Sequence, residues 1–321
     1  SYSIAAYDLD ALPLGNNATG SFTYKVADDS GAESSAQTAN ITISGTNDSP
    51  TLVAGSISNT EDDLESGISV DANSSNLLST ATDVDDLNSS LTISSVEGDS
   101  ANVGSGVTIS LSYTDADGAA QTQDVTLTVN SDGSYSIAAF DLDALPAGNN
   151  ATASFTYTVT DDGGLASSAQ TATITIAGNN DAPVLVAGSI SQTEDQLESG
   201  ISINAASSNL LTGATDIDDL NSSLTVASVN GQTTNVGQAV SVTLSYTDAD
   251  GAAQTQAVDL TVNANGSYSI DAFDLDALPA GNNATASFTY TVKDDDGAES
   301  SAQTATITIA GNNDAPVLVA G

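Results

Sequence analysis

The sequence predicts an all-β protein, a linear array of Greek-key β-sandwich domains, and three observations carry that expectation. One phrase returns at a fixed interval: "SYSIAAY" at residue 1, "SYSIAAF" at 134 and "SYSIDAF" at 267 keep one spacing of 133 residues. That period far exceeds a solenoid repeat and is enough chain for a domain with its own core. Apolar and polar residues also alternate in short runs, the period-2 pattern of half-buried strands. Those runs are separated by Asp, Asn and Gly turns at roughly 8–12 residue intervals, which is the rhythm of a sandwich.

A second phrase marks the joints. "GNNDAPVLVAG" occupies 178–188 and recurs at 311–321, with the near-copy "GTNDSPTLVAG" at 45–55. This phasing predicts the C-terminal part of a repeat at 1–50, complete repeats at 51–183 and 184–316, and the start of another at 317–321. Residues 1–50 lack the strands they would pair with, as expected of an excerpt from a longer tandem protein or of a unit completed by another chain.

Along one repeat, a first strand leads from the joint to "TED" (Glu194, Asp195; earlier copy Glu61, Asp62), and "SSNLL" (207–211) reads as a short helix-like piece. Strands follow at "SLTVASV" (223–229), "SVTLSYT" (241–247), "AVDLTVN" (257–263) and "SYSI" (267–270), with a turn at "ANG" (264–266). In the preceding copy "DLDALPAG" (141–148) reads as a second helical turn. There "ASFTYTV" sets Phe155, Tyr157 and Val159 on one face and Ser154, Thr156 and Thr158 on the other, and "QTATITIAG" sets Ala172, Ile174 and Ile176 inward. Seven or eight strands per repeat enclose a core of Val, Ile, Leu and Ala with one Phe/Tyr pair, enough to fold alone with little margin.

Charge narrows the function. The chain holds 42 acidic residues against two lysines, with no arginine or histidine, for a formal net charge of −40. Nucleic acid and anionic membranes are disfavoured as partners, and no apolar run is long enough for a membrane span. Self-repulsion on that scale opposes compaction unless counter-ions intervene, and Ca2+ held by carboxylate and carbonyl oxygens is the leading candidate. Without cysteine there is no disulfide, thiolate chemistry or zinc–sulfur site.

Several acidic clusters recur. At the joint, Asn180 and Asp181 precede Pro183, and the oxygens of adjacent residues there suit either an interdomain cation or an Asx-turn. "TDVDDLN" (Asp83, Asp85, Asp86) and its copy "TDIDDLN" (Asp216, Asp218, Asp219) place alternate carboxylates on a loop, where a D-x-D pair converges on one ion. The "DDSG", "DDGG" and "DDDG" series (Asp28, Asp29; Asp161, Asp162; Asp294, Asp295, Asp296) fits a glycine-assisted hairpin as well as a metal. "YTDADG" (Asp115, Asp117; Asp248, Asp250) fails as an EF-hand, since its twelfth position is Asp124 in one copy and Ala257 in the next, and it reads as a hairpin turn. The acids of "FDLDALPAG" (Asp141, Asp143; Asp274, Asp276) read as caps of a helical turn.

Catalysis finds no support in these residues. A nucleophilic triad needs a base such as histidine, and paired carboxylates for glycoside hydrolysis would be unusual as identical sites in every tandem unit. A Lys–Asn isopeptide crosslink fails because Lys25 aligns with Thr158 and Thr291, and Lys293 with Thr160 and Ala27.

The stretch "DGSYSIAAFDLDALPAGNNATASFTYTVTDDGGLASSAQTATITIAGNNDAP" (132–183) resembles the VCBS repeat of giant bacterial surface proteins. Upstream, "NLLTGATDIDDLNSSLTV" (209–226) resembles the first half of the same cadherin-like, Ig-like unit. The resemblance implies an RTX-type adhesin exported by type I secretion, in which tandem extender domains bind calcium, mostly at their joints, and hold a binding tip away from the cell. It implies joint ligands at Asn47, Asp48, Asn180, Asp181, Asn313 and Asp314, with Glu61 and Glu194 near the first strand, and Asp83, Asp85, Asp216 and Asp218 in its "DVD" step. The fuller cadherin linker carries more acids between "ND" and Pro than this chain does. The expected protein is a non-enzymatic extracellular spacer of a bacterial surface adhesin, partnered by neighbouring repeats of its own chain. The rival expectation is a filament or surface-layer subunit partnered by identical chains through strand exchange.

Overall fold

A computed structural model describes residues 1–313; Asp314 and the expected repeat start at 317–321 lie outside the described residues. The chain divides, in the main, into two compact units that change over between Gly178 and Asn179.

The first unit opens with β1 (Asn17–Tyr24) and β2 (Gln37–Ser44), an antiparallel pair forming a two-stranded sheet of its own. Next come β3 (Ser56–Thr60), the short helix α1 (Glu61–Ser66), β4 (Ile68–Val70), β5 (Thr92–Val96), β6 (Gly106–Thr114), β7 (Ala120–Val129), β8 (Tyr135–Ile137), β9 (Asn150–Thr160) and β10 (Gln170–Ala177). The second unit repeats the same series as β11 (Ser189–Thr193), α2 (Glu194–Glu198), β12 (Ile201–Ile203), β13 (Thr225–Val229), β14 (Ala239–Thr247), β15 (Ala253–Val262), β16 (Tyr268–Ile270), β17 (Asn283–Lys293) and β18 (Gln303–Ala310).

Among the described residues each unit holds an eight-stranded sheet, in the first with the order β3-β10-β9-β6-β7-β8-β4 and β5 also on β9, and in the second with the corresponding order β11-β18-β17-β14-β15-β16-β12 and β13 also on β17. The junction between β6 and β9 is a single pair, Ser112↔Thr152, so the sheet folds there into two layers. One layer is β3-β10-β9-β5 and the other β6-β7-β8-β4. In the second layer three consecutive antiparallel strands meander and β4 returns beside β8, which is a Greek key. In the first, β3 runs parallel to β10, so the opening strand of the repeat is locked against its last. That long-range parallel pairing is the Ig-like feature of the sandwich.

Alternation explains which faces meet. In β17 and β18 the residues Phe288, Tyr290, Val292, Ala305, Ile307 and Ile309 are buried and share one core with Val242, Leu244, Leu260 and Ile270 of the opposite layer. Each buried aliphatic or aromatic side chain there is worth about 1.5–3 kcal/mol of transfer free energy. The Tyr290 hydroxyl lies within hydrogen-bond reach of Val186 O and Leu210 O, both at 3.2 Å, and so pins the segment after the joint to the following loop.

The helical turns fall elsewhere than the sequence predicts. Residues 207–211 and 141–148 form hydrogen-bonded turns, while the helix of each repeat is the "TED" segment. Thr60 and Asp63 form a capping box, as do Thr193 and Gln196, and the acidic residues of the first turn suit the positive end of the helix. At "DLDALP" the apolar demand decides instead: Leu275 and Leu278 insert into the core, and a single turn from Leu275 to Leu278 suffices to seat both.

Candidate metal centre

The joint phrase and two loops meet at one place in each unit. In the second unit the "TDIDD" loop winds around its first carboxylate: Asp216 Oδ1 accepts from the backbone N–H groups of Asp218 and Asp219, both at 3.3 Å, while Asn221 Oδ1 accepts from Asp216 N at 2.8 Å. This Asx-type turn uses one oxygen of Asp216 and turns the following two carboxylates inward. Asp218 becomes wholly buried, and its Oδ2 accepts from the backbone N–H of Asp181 in the joint at 3.4 Å.

The third contribution comes from the loop between β17 and β18. Asp294 is buried and caps its own turn through Oδ1, which accepts from Ala298 N at 2.9 Å and from Gly297 N. Its other oxygen, Oδ2, accepts from Asn180 Nδ2 at 3.1 Å. Joint, D-x-D-D loop and hairpin loop are thus stitched together, and Asp216, Asp219 and Asp294 each offer an oxygen within 4.8 Å of the other two.

Four oxygens in this cluster are buried without a hydrogen-bond partner: Asn180 Oδ1, Asp216 Oδ2, Asp218 Oδ1 and Asp219 Oδ2. An ionised carboxylate withdrawn from water without a compensating charge costs several kcal/mol. Accordingly the protons are held tightly: burial above all, then the Asp216 side chain, pushes the Asp218 carboxyl up to about 7. Asp219 is pushed up to about 6, again mainly by burial and then by the charges of Asp295, Asp216, Asp294 and Asp296.

The first unit repeats the arrangement. Asp83 Oδ1 accepts from Asp85 N at 3.1 Å and Asp86 N at 3.2 Å, Asp85 Oδ1 from Asp48 N at 3.3 Å, and Asp161 Oδ2 from Asn47 Nδ2 at 2.9 Å. Asp83, Asp85 and Asp86 bring oxygens within 4.8 Å of one another, and the Oδ2 atom of each is buried without a partner. Burial raises both Asp85 and Asp86, the latter to about 6 with Asp162 as its next cause.

The donor set is all oxygen, with no histidine or thiolate in the chain, so it suits a hard divalent cation. Calcium accepts about 6–8 oxygens in flexible geometry, which carboxylates, an asparagine carbonyl and water can provide. Lysine does not neutralise the cluster in either unit: the one ion pair among the described residues joins Lys25 to Glu33 at the surface.

Other residues singled out in the sequence are placed apart. Glu194 and Asp195 sit on the first turn of α2, where Glu194 Oε1 accepts from Asn312 N at 2.7 Å and Asp195 Oδ2 from Asn312 Nδ2 at 2.6 Å. They therefore hold the phrase at the end of their own repeat, while Asn180 and Asp181 bond to the D-x-D-D and hairpin loops. Glu61 and Asp62 occupy the same positions on α1, and Asn313 lies exposed at the end of the described chain. Sequence reading did not single out Glu198, whose carboxylate groups with those of Asp274 and Asp276 in an exposed cluster. It also passed over the first asparagine of "NND", which is Asn179 and Asn312 in two copies of the phrase and Thr46 in the other. "YTDADG" is the hairpin turn expected of it, with Asp248 Oδ1 accepting from Ala252 N at 2.9 Å.

No protein-family model matches this sequence, and no curated protein matches it. Among solved structures it is similar to Protocadherin Gamma B2 extracellular cadherin domains 3-6, at 13% identity over 96% of this chain and 61% of that one, with a TM-score of 0.40. It is similar to Drosophila N-cadherin EC1-4 at 16% identity over 94% of this chain and 59% of that one, with a TM-score of 0.38. A tetra-tandem repeat in the extending region of a large adhesion protein matches at 20% identity over 91% of this chain and 57% of its own, with a TM-score of 0.18. The chain thus spans between 57% and 61% of the length of these structures.

Proposed function

We propose that this chain is a calcium-clamped extender segment of a bacterial cell-surface adhesin, with complete repeats at 51–183 and 184–316 acting as spacers. The observation that carries the reading is the set of buried, partnerless oxygens on Asn180, Asp216, Asp218 and Asp219, gathered where the joint enters the sandwich. A calcium ion coordinated there by Asn180, Asp216, Asp218, Asp219 and Asp294 neutralises the cluster. It also fixes the joint to the body of the repeat that follows, since Asn180 and Asp181 already bond to that body. Asn47, Asp83, Asp85, Asp86 and Asp161 do the same in the first unit, with Asp48 bonding through its backbone N–H. Asp162 and Asp295 contribute negative potential beside the ion.

Extension follows from removing hinge freedom. Fixing a few backbone dihedrals at each joint costs about 1–2 kcal/mol per residue, which binding of the ion offsets. Near-identity of the units supports a spacer, because a rod needs repetition whereas a single binding site does not. The composition supports an extracellular setting, where calcium is plentiful, and the resemblance to VCBS repeats supports a bacterial surface. No enzymatic role is proposed.

Small-angle X-ray scattering of the full chain, in calcium and then in excess chelator, tests the reading. Calcium is expected to give a larger maximum dimension and a narrower distribution of shapes. An unchanged profile contradicts the extender role even if calcium binds.

A further inference from the structure

Two asparagine-glycine steps stand in the second repeat, Asn230-Gly231 and Asn265-Gly266, where the first repeat carries Glu97-Gly98 and Asp132-Gly133. At such a step a backbone nitrogen attacks the preceding side-chain amide with least obstruction, because glycine has no side chain. The fold treats the two steps differently. Asn230 and Gly231 are the exposed centre of a two-residue turn after β13, closed by Val229 N donating to Gln232 O at 3.2 Å and Gln232 N to Val229 O at 3.1 Å. Their φ angles are 49° and 71°, and positive values at both central residues mark a type I′ turn. Among the described residues the Gly231 N–H donates to no acceptor.

Gly266, by contrast, is buried, its N–H donates to Asn263 O at 3.0 Å, and a Cβ there would meet Leu211 Cγ at 2.7 Å. A Cβ on Gly231 would meet nothing within 4 Å. The attacking nitrogen is therefore tied and enclosed at one step, free and solvated at the other. Both side-chain oxygens accept from a backbone N–H, Asn230 Oδ1 from Thr289 at 3.0 Å and Asn265 Oδ1 from Ser267 at 3.1 Å, so the nitrogen makes the difference. The Thr289 N–H faces the oxygen on which negative charge gathers during attack, which stabilises a tetrahedral intermediate. Asn230 Nδ2, the leaving group, donates to nothing among the described residues.

We propose that Asn230 is a site of spontaneous deamidation in the folded protein and that Asn265 is protected from it. Gly231 N bonds to Asn230 Cγ, the Cγ–Nδ2 bond breaks, and the Gly231 amide proton leaves with that nitrogen as ammonia, which gives a succinimide. Water then opens the ring at either carbonyl to leave aspartate or isoaspartate, with no change in oxidation state. A carboxylate is accommodated at this place in the first unit, where Glu97 Oε1 accepts from Thr156 N at 2.6 Å. Isoaspartate instead runs the main chain through the former side chain, so the turn gains a carbon and the Thr289 N–H loses its acceptor. That product loosens the end of β13 against β17, where Asn230 N donates to Thr289 O at 2.7 Å. The site does not rest on the calcium reading.

The test ages the full chain in mildly alkaline buffer, with and without denaturing urea, and follows both steps by peptide mass mapping that separates aspartate from isoaspartate. In the folded chain conversion at Asn230 is expected to run at least about tenfold faster than at Asn265, which must first break the Gly266 N–H bond and open its packed surroundings. In urea the two rates are expected to converge, because both asparagines then precede a free glycine. Amide hydrogen exchange at Thr289 is expected to speed up as the parent ages and to stay constant in Asn230→Gln, whose amide has the reach of Glu97 and closes the succinimide ring far less readily. Equal or faster conversion at Asn265 in the folded chain overturns the proposal, as does conversion at Asn230 that occurs only in urea. Thr289 exchange that speeds up equally in aged Asn230→Gln overturns it too, by tracing the loosening to another change.

Discussion

Asn180 Nδ2 donates to Asp294 Oδ2 at 3.1 Å although the two residues are 114 positions apart, and Asn47 makes the same bond to Asp161 at 2.9 Å across the same separation. Each bond ties a joint to a hairpin loop at the far end of the repeat it introduces. Asn180→Ala removes that tie together with the buried Asn180 Oδ1, which accepts no hydrogen bond. The expected loss is about 1 kcal/mol in chelator, or roughly 3 °C in melting, with a larger loss in calcium. Calorimetric melts of the two proteins in both conditions check it.

Neutralising the cluster separates charge repulsion from ligation. Asp216→Asn with Asp219→Asn removes two of the carboxylates whose oxygens approach within 4.8 Å. The double variant is expected to melt above the parent in chelator, because like charges are removed, and below it in saturating calcium, because ligands are lost. Crossing of the two orders in a pair of thermal scans is the signature.

The raised carboxyls give an unusual pH dependence. In the calcium-free chain Asp218 titrates at about 7 and Asp219 at about 6, above the ordinary aspartate value of about 3.9. Between about pH 4 and pH 7 the folded state therefore binds more protons than the unfolded state, so stability falls as pH rises through that window. General acidic repulsion acts in the same direction. Denaturant melts in chelator are expected to give higher midpoints at pH 5 than at pH 7.5. Calcium should reverse the order, because it binds the ionised form.

Tyr290 provides a control that calcium does not touch. Tyr290→Phe leaves the Val186 and Leu210 carbonyls without the hydroxyl now in reach of both. A loss of about 1–2 kcal/mol is expected, the same in calcium and in chelator, measured by urea midpoints.

The sandwich was readable because its signals are local. Alternation in "ASFTYTV" fixes the inward face of β9, and Phe155, Tyr157 and Val159 are all buried. The helix was misplaced because "DLDALP" and "TED" both carry acids beside a possible cap. Only the packing of Leu275 and Leu278 against the capping box at Thr193 decides between them. The acidic loops were visible as repeated phrases, but the grouping was not. Pairing of Asn180 with Asp294 and of Glu194 with Asn312 depends on strand crossings more than 100 residues long, which spacing alone does not encode.

The central claim is that the partnerless oxygens at each joint hold calcium, and equilibrium calcium binding to the full chain by titration calorimetry tests it most directly. The account predicts at least one tightly held ion for each complete repeat, and loss of the second-unit ion in Asp216→Asn with Asp219→Asn. Absence of calcium binding at millimolar concentration, or unchanged stoichiometry in that variant, would contradict it.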